Sequence, residues 1–501
     1  MAESASYNLY VDWNGDGDFA DAGEDVSSDF VSAEINRGLS DPIARVARVG
    51  RARILLNNAN RQYSPELDAD VIPRREVMLQ MTYDATTTTR FRGYIDEIIP
   101  QSGRYEGRKV ELVCSDAMAL LSQGDARIPL ATDVYADEII EDIVDAVYTP
   151  PSTDYEHGMN LFPVSADRWA WDVAGQAVEE VTAAAKLGDV CLSDWGVFFI
   201  AADGAPTFYN RHHMSLDDTV VLTLDGTMQD LSYSLAVSSV RNAVEVTCYP
   251  RSVGQTYEML ARISQDDAPI IEAGDDKTFV MKFRDPTNQK IRAGGLDCLT
   301  PVEDTDWICT NDVAGEGESV GAPDVTISAD FYGDQAEVTL TNNSADPVYI
   351  QKLQVRGYAV RAREPVVILV ADATSVDLNR RWTLSIDAIL MDSQVEALAL
   401  ADYLLDRYKD ASAVVDGLEV VANTTAARMA AVRDLDLCQR VSVSEHQTGL
   451  SSYEGYIWQM QETIVDTIHS VRLGLVGAYA LPGDPWIWDT STWDGGDVWI
   501  Y

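Results

Sequence analysis

The residues best suited to chemistry lie close to the N-terminus, in an acidic stretch that follows a short apolar run. Residues 12–24 read Asp-Trp-Asn-Gly-Asp-Gly-Asp-Phe-Ala-Asp-Ala-Gly-Glu. Calcium takes about six to eight oxygen ligands, which carboxylates at alternate positions can supply where glycine allows a sharp turn. The candidate ligands are Asp12, Asn14, Asp16, Asp18, Asp21 and Glu24. We expect a structural Ca²⁺ here; the alternative is a solvated Asp-Gly turn between two strands.

This stretch differs from the calcium loop of an EF-hand in two respects. Its twelfth position is Gly23, so the acidic residue Glu24 comes one place late. The run before it, residues 7–11, has the alternation of a strand rather than the periodicity of a helix. The pattern therefore favours a strand-borne loop of the Asp-x-Asn-x-Asp-Gly type.

Histidine and cysteine form no recognisable catalytic motif. The histidines are His157, His212, His213, His446 and His469, and none lies in a His-Glu-x-x-His or serine-elbow motif, so surface or packing roles are expected. The six cysteines include no Cys-x-x-Cys and predict buried free thiols, with Cys298 and Cys309 as the one pair worth testing for a disulfide. Carboxylates are too abundant for any acid/base pair to stand out, so no enzymatic activity is expected.

Composition bounds the class of protein. The chain has 501 residues, 46% of them apolar, which is enough for several packed cores and excludes disorder over the whole length. With 37 Lys and Arg against 81 Asp and Glu, the formal net charge is −44. Such a charge repels phosphate, so sequence-specific nucleic-acid binding and docking on anionic membranes are not expected. An acidic, lysine-poor surface suits a halophilic source, although a GC-rich genome would give the same arginine bias.

Neither a membrane anchor nor a leader is expected. The sequence has no apolar run of the roughly 18 residues that a spanning helix needs. The first residues lack the basic and apolar regions of a signal peptide, which argues against export by the usual route.

The elements that must position these residues are mostly strands. Period-two runs between turn residues predict a β-barrel over residues 1–125, which carries the Asp-rich loop. A helix over 136–147, a second near 172–186 and a hairpin over 196–210 predict a small α+β domain over 126–240. Residues 254–360 show no convincing helix and predict an inserted β-sandwich.

A second barrel is expected from residues 241–253 and 361–480. It contains a helix with a capping box at Ser393 and Glu396, for which the buried face is predicted as Val395, Leu398, Ala401, Leu405 and Tyr408. Residues 481–501 form a Trp-rich tail, which must lie against the body or a partner to cover its rings.

The two predicted barrels echo each other. Phe91-Arg-Gly-Tyr-Ile followed by Val110-Glu-Leu-Val has a counterpart in Tyr453-Glu-Gly-Tyr-Ile followed by Val471-Arg-Leu-Gly-Leu. In both places a Gly-Tyr-Ile strand precedes a turn and an alternating return strand. The predicted fold is therefore mainly β with minor α: two related β-barrels, a small α+β domain and an inserted β-sandwich.

In this order of parts the chain resembles the tail hub, or baseplate hub, proteins of tailed phages. The resemblance rests on residues 10–19, 53–58, 61–65, 91–95, 114–116, 196–209, 230–233, 241–246 and 393–409, and on the closing barrel to Gly477. It implies a structural homotrimer whose paired barrels match a sixfold tail tube to a threefold tip and keep the tail closed before genome ejection.

The resemblance also implies partners and a location. Expected partners are distal tail or tail tube proteins, the tape-measure protein, and tail fibre or receptor-binding proteins that serve host attachment. DNA would pass transiently without specific binding. The protein would be assembled in the host cytoplasm and reside in the virion tail, at the tip or baseplate.

Two other functions remain open from the sequence. One is a calcium-dependent adhesin or carbohydrate-binding surface protein, with aromatic platforms from the Trp-rich tail. The other is a tip-borne cell-wall hydrolase, which would need a paired Glu/Asp or Cys/His set that no segment offers.

Overall fold

The protein is described by a computed structural model of residues 3–103, 107–130, 134–158, 160–161, 182–216, 219–226, 228–263 and 268–478. Short alternating runs make most of the chain strand. The N-terminal strands are β1 Ser6–Val11, β2 Phe30–Gly38, β3 Arg51–Asn57, β4 Glu76–Tyr83, β5 Thr86–Gln101, β6 Lys109–Ser115, β7 Val134–Tyr135, β8 Asp154–Tyr155, β9 Asn160–Leu161, β10 Val197–Ile200, β11 Pro206–Tyr209, β12 Val220–Asp225 and β13 Gln229–Leu235.

The remaining strands and the helices follow. The strands are β14 Ala243–Cys248, β15 Arg251–Arg262, β16 Ile270–Ile271, β17 Asp276–Lys282, β18 Arg284–Asp285, β19 Asn288–Arg292, β20 Gly294–Leu299, β21 Trp307–Thr310, β22 Val325–Phe331, β23 Gln335–Asn342, β24 Val348–Ala362, β25 Val366–Ala371, β26 Thr383–Ala388, β27 Ala413–Val421, β28 Arg440–Glu445, β29 Leu450–Val465 and β30 Ile468–Gly477. The helices are α1 Met118–Gln123, α2 Ala136–Asp145, α3 Ala183–Asp194, α4 His213–Leu216, α5 Ala373–Asn379, α6 Gln394–Tyr408 and α7 Ala426–Asp434.

A twelve-stranded sheet contains the same six-stranded arrangement twice. Unit one, strands β1 to β6, has the order β1-β4-β5-β6-β3-β2. Unit two, strands β12, β13 and β27 to β30, has the order β12-β28-β29-β30-β27-β13, so strands correspond one to one along the chain. The pairing differs at one place: β1 is antiparallel to β4, whereas β12 is parallel to β28. The two related β units predicted from the sequence are therefore confirmed.

Each unit surrounds a core of its own. All six strands of unit one contribute to one apolar cluster, which includes Leu9, Ile54 and Phe91. All six strands of unit two contribute to a second cluster, around Val420, Ile457 and Leu473. Because the six strands of each unit share one interior, each half of the twelve-stranded sheet curves around its own core.

The correspondence extends to single residues. Ile95, Cys114, Ala52 and Ile35 form a row of directly paired residues across four strands of unit one. The matching row in unit two is Ile457, Leu475, Val415 and Tyr233. Both long strands then carry a bulge directly after the isoleucine, at Asp96 and at Trp458. A bulge at the same place in both hairpins shows that the sequence echo is structural.

The two units are joined edge to edge. Strand β2 runs antiparallel to β29 from the pair Ser32 and Val465 to the pair Gly38 and Gln459. Gly38 has φ +135°, and a Cβ there would lie 2.4 Å from the Trp458 carbonyl oxygen. The close approach therefore requires glycine at this position.

Along the chain, the small α+β module lies between β6 of unit one and β12 of unit two. It contains the predicted hairpin, β10–β11. Its described helix α3 runs from Ala183 to Asp194, well beyond residue 186, where the predicted second helix was expected to end. Residues 172–181 of the predicted second helix lie outside the described residues.

Domain limits differ from the sequence assignment. Strands β12 and β13 belong to unit two rather than to the α+β module. Strand β14 pairs with β25 and β26 in a separate three-stranded sheet, on which α6 packs. The chain thus enters unit two, leaves it for residues 236–412, and returns.

The predicted buried face of α6 is partly wrong. Ser393 caps the helix as expected, by accepting a hydrogen bond from the Glu396 amide. However, Val395 is 79% exposed and Leu398 is 43% exposed. The residues that pack inward are Ala397, Leu400, Ala401, Leu404 and Tyr408.

The inserted region has two larger sheets over one core and a short two-stranded sheet of β18 and β19. One larger sheet contains β15, β16, β20, β21 and β24, and the other contains β17, β22 and β23. Phe283, Trp307 and Val338 lie in their shared core. Cys298 and Cys309 are both free thiols, so the candidate disulfide is not formed. Within the described part of the chain, no helix is long and apolar enough to cross a membrane. The Trp-rich tail lies outside the described residues.

Candidate functional site

The Asp-rich loop connects the first two strands of unit one. It leaves β1 at Asp12 and returns alongside the same strand, where the Val11 amide donates to the Glu24 carbonyl and the Val26 amide donates to the Leu9 carbonyl. The corresponding connection in unit two, between β12 and β13, spans only residues 226–228. The loop is therefore an elaboration of unit one alone.

Three of the six predicted ligands converge. Asp12, Asp16 and Glu24 each place a carboxylate oxygen within 4.8 Å of the others. Asp12 is 3% exposed, and its two oxygens accept hydrogen bonds from the amides of Gly15 at 2.6 Å and Gly17 at 3.0 Å. Both glycines have positive φ, which lets the backbone fold over the carboxylate.

Glu24 is the buried end of this cluster. Its side chain is 2% exposed, and Oε2 accepts a hydrogen bond from the Asp21 amide at 2.9 Å. Oε1 is buried without a hydrogen-bond partner. Burial and the neighbouring aspartate charges raise the pKa of the Glu24 carboxyl above its ordinary value. This oxygen lacks a cation or proton donor to balance it.

The other three predicted ligands are not brought to the cluster as oxygen donors. Asn14 directs its amide nitrogen to Asp16 at 3.1 Å and to Asp21 at 2.6 Å. Asp18 is exposed and accepts from the Ala20 amide. Asp21 is exposed as well, at the rim of the loop.

A buried charge network lies where unit one meets unit two. Arg90 of β5 donates a hydrogen bond from Nε to Oε2 of Glu462 on β29 at 3.0 Å, and its Nη2 lies at ion-pair distance, 2.9 Å, from Oε1 of the same carboxylate. His469 Nε2 lies 3.1 Å from the same Glu462 Oε2, and Arg90 Nη1 also donates to the carbonyls of Arg433 and Leu435. Arg90, Glu462 and His469 are each at most 1% exposed.

Opposite charges decide the ionisation of Glu462. Burial alone would raise the pKa of its carboxyl, but the Arg90 guanidinium and the hydrogen bond with His469 hold that pKa well below its ordinary value. The carboxylate therefore stays ionised inside the junction.

Sequence reasoning missed this network. The network depends on a second bulge in β5. Leu79 of β4 pairs with Phe91 and Gln80 pairs with Thr89, so Arg90 has no partner residue in the β4 ladder. The bulge turns two consecutive side chains, Arg90 and Phe91, into the interior. A register shift of this kind depends on the partner strand and is invisible in one strand's pattern.

The two units differ in which strand edges are occupied. Residues 459–465 of β29 pair with β30 on one edge and with β2 on the other. The matching residues 97–101 of β5 pair with β6 alone. Strand β13, the counterpart of β2, pairs with β27 alone. Among the described residues, these two second edges, here called the β5 edge and the β13 edge, have no ladder partner.

One cavity gathers ionisable residues outside these features. It measures about 220 Å³ and is lined by His157, Asp194, Arg211, His212 and Glu396, among others. His157 is hydrogen-bonded to Asp137 through Nδ1 at 3.2 Å, and the neighbouring His213 to Glu156 at 2.6 Å. These hydrogen bonds hold the two imidazole rings in place.

Comparison with solved structures gives low identity over nearly the whole chain. The fold is similar to a 43 kDa tail protein of prophage MuSo2 from Shewanella oneidensis, with TM-score 0.49, 10% identity, and 95% of this chain and 99% of that chain covered. It is similar to a tail protein from Neisseria meningitidis, with TM-score 0.48, 9% identity, and coverage of 94% and 96%.

A third similar structure is a type VI secretion component from E. coli, itself described as similar to phage T4 tail proteins. Its TM-score is 0.37 and its identity 9%, over 95% of this chain and 80% of that chain. These are the kinds of protein that the sequence resembles. No protein-family model matches the chain, and no curated protein sequence matches it.

Proposed function

We propose that this protein is a structural, non-enzymatic tail hub of a tailed phage, a trimeric adaptor between the tail tube and the tail tip. The observation that carries the proposal is the repeated unit with one junction made and one left open. The likeness to solved structures does not carry it.

The open edges define how copies would join. Within one chain, β2 of unit one covers the edge of β29 in unit two. The equivalent contact would place β13 of one copy on the β5 edge of the next. Such a head-to-tail contact repeats until a ring closes. In a ring of three chains, six similar units surround one axis, which is the symmetry that a sixfold tube requires.

The correspondence of residues also fixes the register of this contact. Asn36 of β2 pairs with Gln461 of β29. Asn36 follows Ile35, whose counterpart is Tyr233, so the counterpart of Asn36 is Ser234. Gln461 lies four residues after Ile457, whose counterpart is Ile95, so the counterpart of Gln461 is Ile99. Pro100 follows on the same edge and has no N–H, so the ladder there has one hydrogen bond fewer than the internal junction.

The remaining roles follow from a ring of this kind. The tail tube or distal tail proteins and the tape-measure protein would meet one face, and fibres or receptor-binding proteins the other. DNA would pass through the centre without specific binding, which a net charge of −44 favours by avoiding attraction of phosphate. The protein would be located in the virion tail.

The test combines mass with cross-linking. Light scattering of the purified chain should give about three times its 55.1 kDa. In the double variant Ile99→Cys with Ser234→Cys, facing residues of adjacent antiparallel strands come within disulfide range. Oxidation should then yield covalent trimers on a non-reducing gel.

The matched control moves one cysteine along the same strand. Thr87 lies on β5 where β4 already occupies the second edge, so Thr87→Cys with Ser234→Cys should give no covalent trimer. A monomeric mass, or equal cross-linking in both double variants, would rule out the proposed ring.

A further inference from the structure

We infer that the loop of residues 12–24 binds one calcium ion, with the carboxylates of Asp12, Asp16 and Glu24 as its protein ligands. The inference rests on the loop alone and does not depend on the tail-hub proposal.

The unpartnered Glu24 oxygen is the observation that points to a ligand. Glu24 is only 2% exposed, and no hydrogen-bond donor contacts its Oε1. A buried carboxylate oxygen without a donor destabilises the folded state, because it loses its hydrogen bonds to water and gains none in the protein. One carboxylate oxygen of Glu24 lies within 4.8 Å of one oxygen each from Asp12 and Asp16, so a single cation can bind all three carboxylates.

The loop has no protein cation to take that place. Among the described residues, no Lys, Arg or His forms an ion pair with Asp12, Asp16 or Glu24. The Arg75 guanidinium lies against Gly15, but its Nε donates to the Asp70 carbonyl and it forms no ion pair with the three carboxylates. The Asn14 amide nitrogen bridges Asp16 and Asp21 instead.

Calcium suits this donor set better than other common ions. All three donors are carboxylates, and the cluster has no sulfur or imidazole, which zinc prefers. The chain around them is an irregular loop with three glycines at positive φ, Gly15, Gly17 and Gly23. Calcium tolerates irregular geometry and completes its shell with carbonyls and water, whereas magnesium demands near-ideal octahedral ligands.

Binding would fasten the closing contact of unit one. β1 and β2 are the two ends of its strand order, and the segment that bears Glu24 lies hydrogen-bonded beside β1. An ion that holds Asp12 and Glu24 together therefore holds the end of β1 to the segment leading into β2. The stability of unit one should depend on the ion, because a ligand that binds only the folded state raises the free energy of unfolding.

The experiment measures thermal unfolding of the full chain after chelation, with added Ca²⁺ or Mg²⁺, alongside calorimetric titration with Ca²⁺. Calcium should raise the melting temperature of the wild type, and magnesium at the same concentration should raise it less. Glu24→Gln should fold, because it removes a buried charge at nearly constant shape, and should lose both the calcium-dependent rise and the heat of binding.

Asp203→Asn is the matched control. Asp203 lies in an ordinary Asp-Gly turn, where its Oδ1 accepts from the Ala205 amide, so this variant should respond to calcium as the wild type does. No calcium response in the wild type, or an equal response in Glu24→Gln, would show that residues 12–24 form a plain acidic turn.

Discussion

At the scale of single residues, the junction between the units depends on charges that are buried and paired. Inside the protein, the Arg90 guanidinium balances the Glu462 carboxylate, and His469 lies at hydrogen-bond distance from the same carboxylate. The strands that carry these residues were predictable from alternation. Their meeting was not, because Arg90 and Glu462 are 372 residues apart and a bulge directs Arg90 inward.

Replacing Glu462 by glutamine should destabilise the protein strongly at neutral pH. The change leaves the Arg90 guanidinium buried without its counter-charge, which costs about 3–5 kcal/mol in comparable pairs. Denaturant titration followed by tryptophan fluorescence measures the loss. Glu34→Gln is the control, since Glu34 is exposed on β2 at the same junction and bonds only to Gln461; it should change stability by less than about 0.5 kcal/mol.

The pH dependence of this difference has a defined sign. Because the folded-state pKa of Glu462 lies below its ordinary value of 4.5, its carboxylate stabilises the fold above pH 4.5. The contribution is lost as pH falls below that value. The gap between wild type and Glu462→Gln should be constant near neutrality and shrink in acid; a gap that widens in acid would contradict the assignment.

The Asp-rich loop of residues 12–24 was, by contrast, partly predictable at this scale. Because the spacing is local, the order of residue types was enough to place Asp12, Asp16 and Glu24 among six candidate ligands, but not to single them out. It did not show that Asn14 presents nitrogen or that Asp18 faces solvent. Those details depend on rotamers and on the backbone turns at the glycines.

At the scale of elements, the repeated hairpin was predictable because its signal lies within continuous strands. The echo around Gly93 and Gly455 marked the same pair of strands in both units. The orientation of α6 was not predictable. Apolar residues cover more than one of its faces, including Val395, Leu398, Leu400 and Leu404, so the sheet beneath decides which face is buried.

Gly38→Ala should loosen the contact between β2 and β29. The added methyl would meet the Trp458 carbonyl oxygen at 2.4 Å, so the strands must separate. Hydrogen exchange should accelerate at the amides of residues 459–465. Gly449→Ala is the control: Gly449 also has positive φ, +77°, but nothing lies within 4 Å of its added Cβ.

The control separates collision from backbone strain. Alanine at positive φ costs on the order of 1 kcal/mol by itself, and both variants carry that cost. Only Gly38→Ala should open the junction. Equal exchange in the two variants would mean that the close approach is not what fixes Gly38.

At the scale of the whole molecule, the chain is a duplicated unit interrupted by a long insertion. Composition and order of parts predicted a mainly β protein with two related units. They did not predict that β12 and β13 enter unit two before the insertion begins at residue 236. Pairing between strands so far apart leaves no local trace, whereas a shift in composition suggests continuous domains.

In the ring that we propose, the internal junction between the two units is the template for the contact between copies. One edge pair is satisfied inside the chain, and its equivalent pair, the β5 edge and the β13 edge, is open among the described residues. Exposed strand edges are usually blunted or covered. In the proposed ring, each of a chain's two neighbours would cover one of these edges.

A three-dimensional map of the purified assembly by electron cryomicroscopy tests this account most directly. We expect three chains in a closed ring of six similar β units, with β13 of each chain antiparallel to residues 97–101 of the next. A solitary chain, or a ring in which those two edges face solvent, would contradict it.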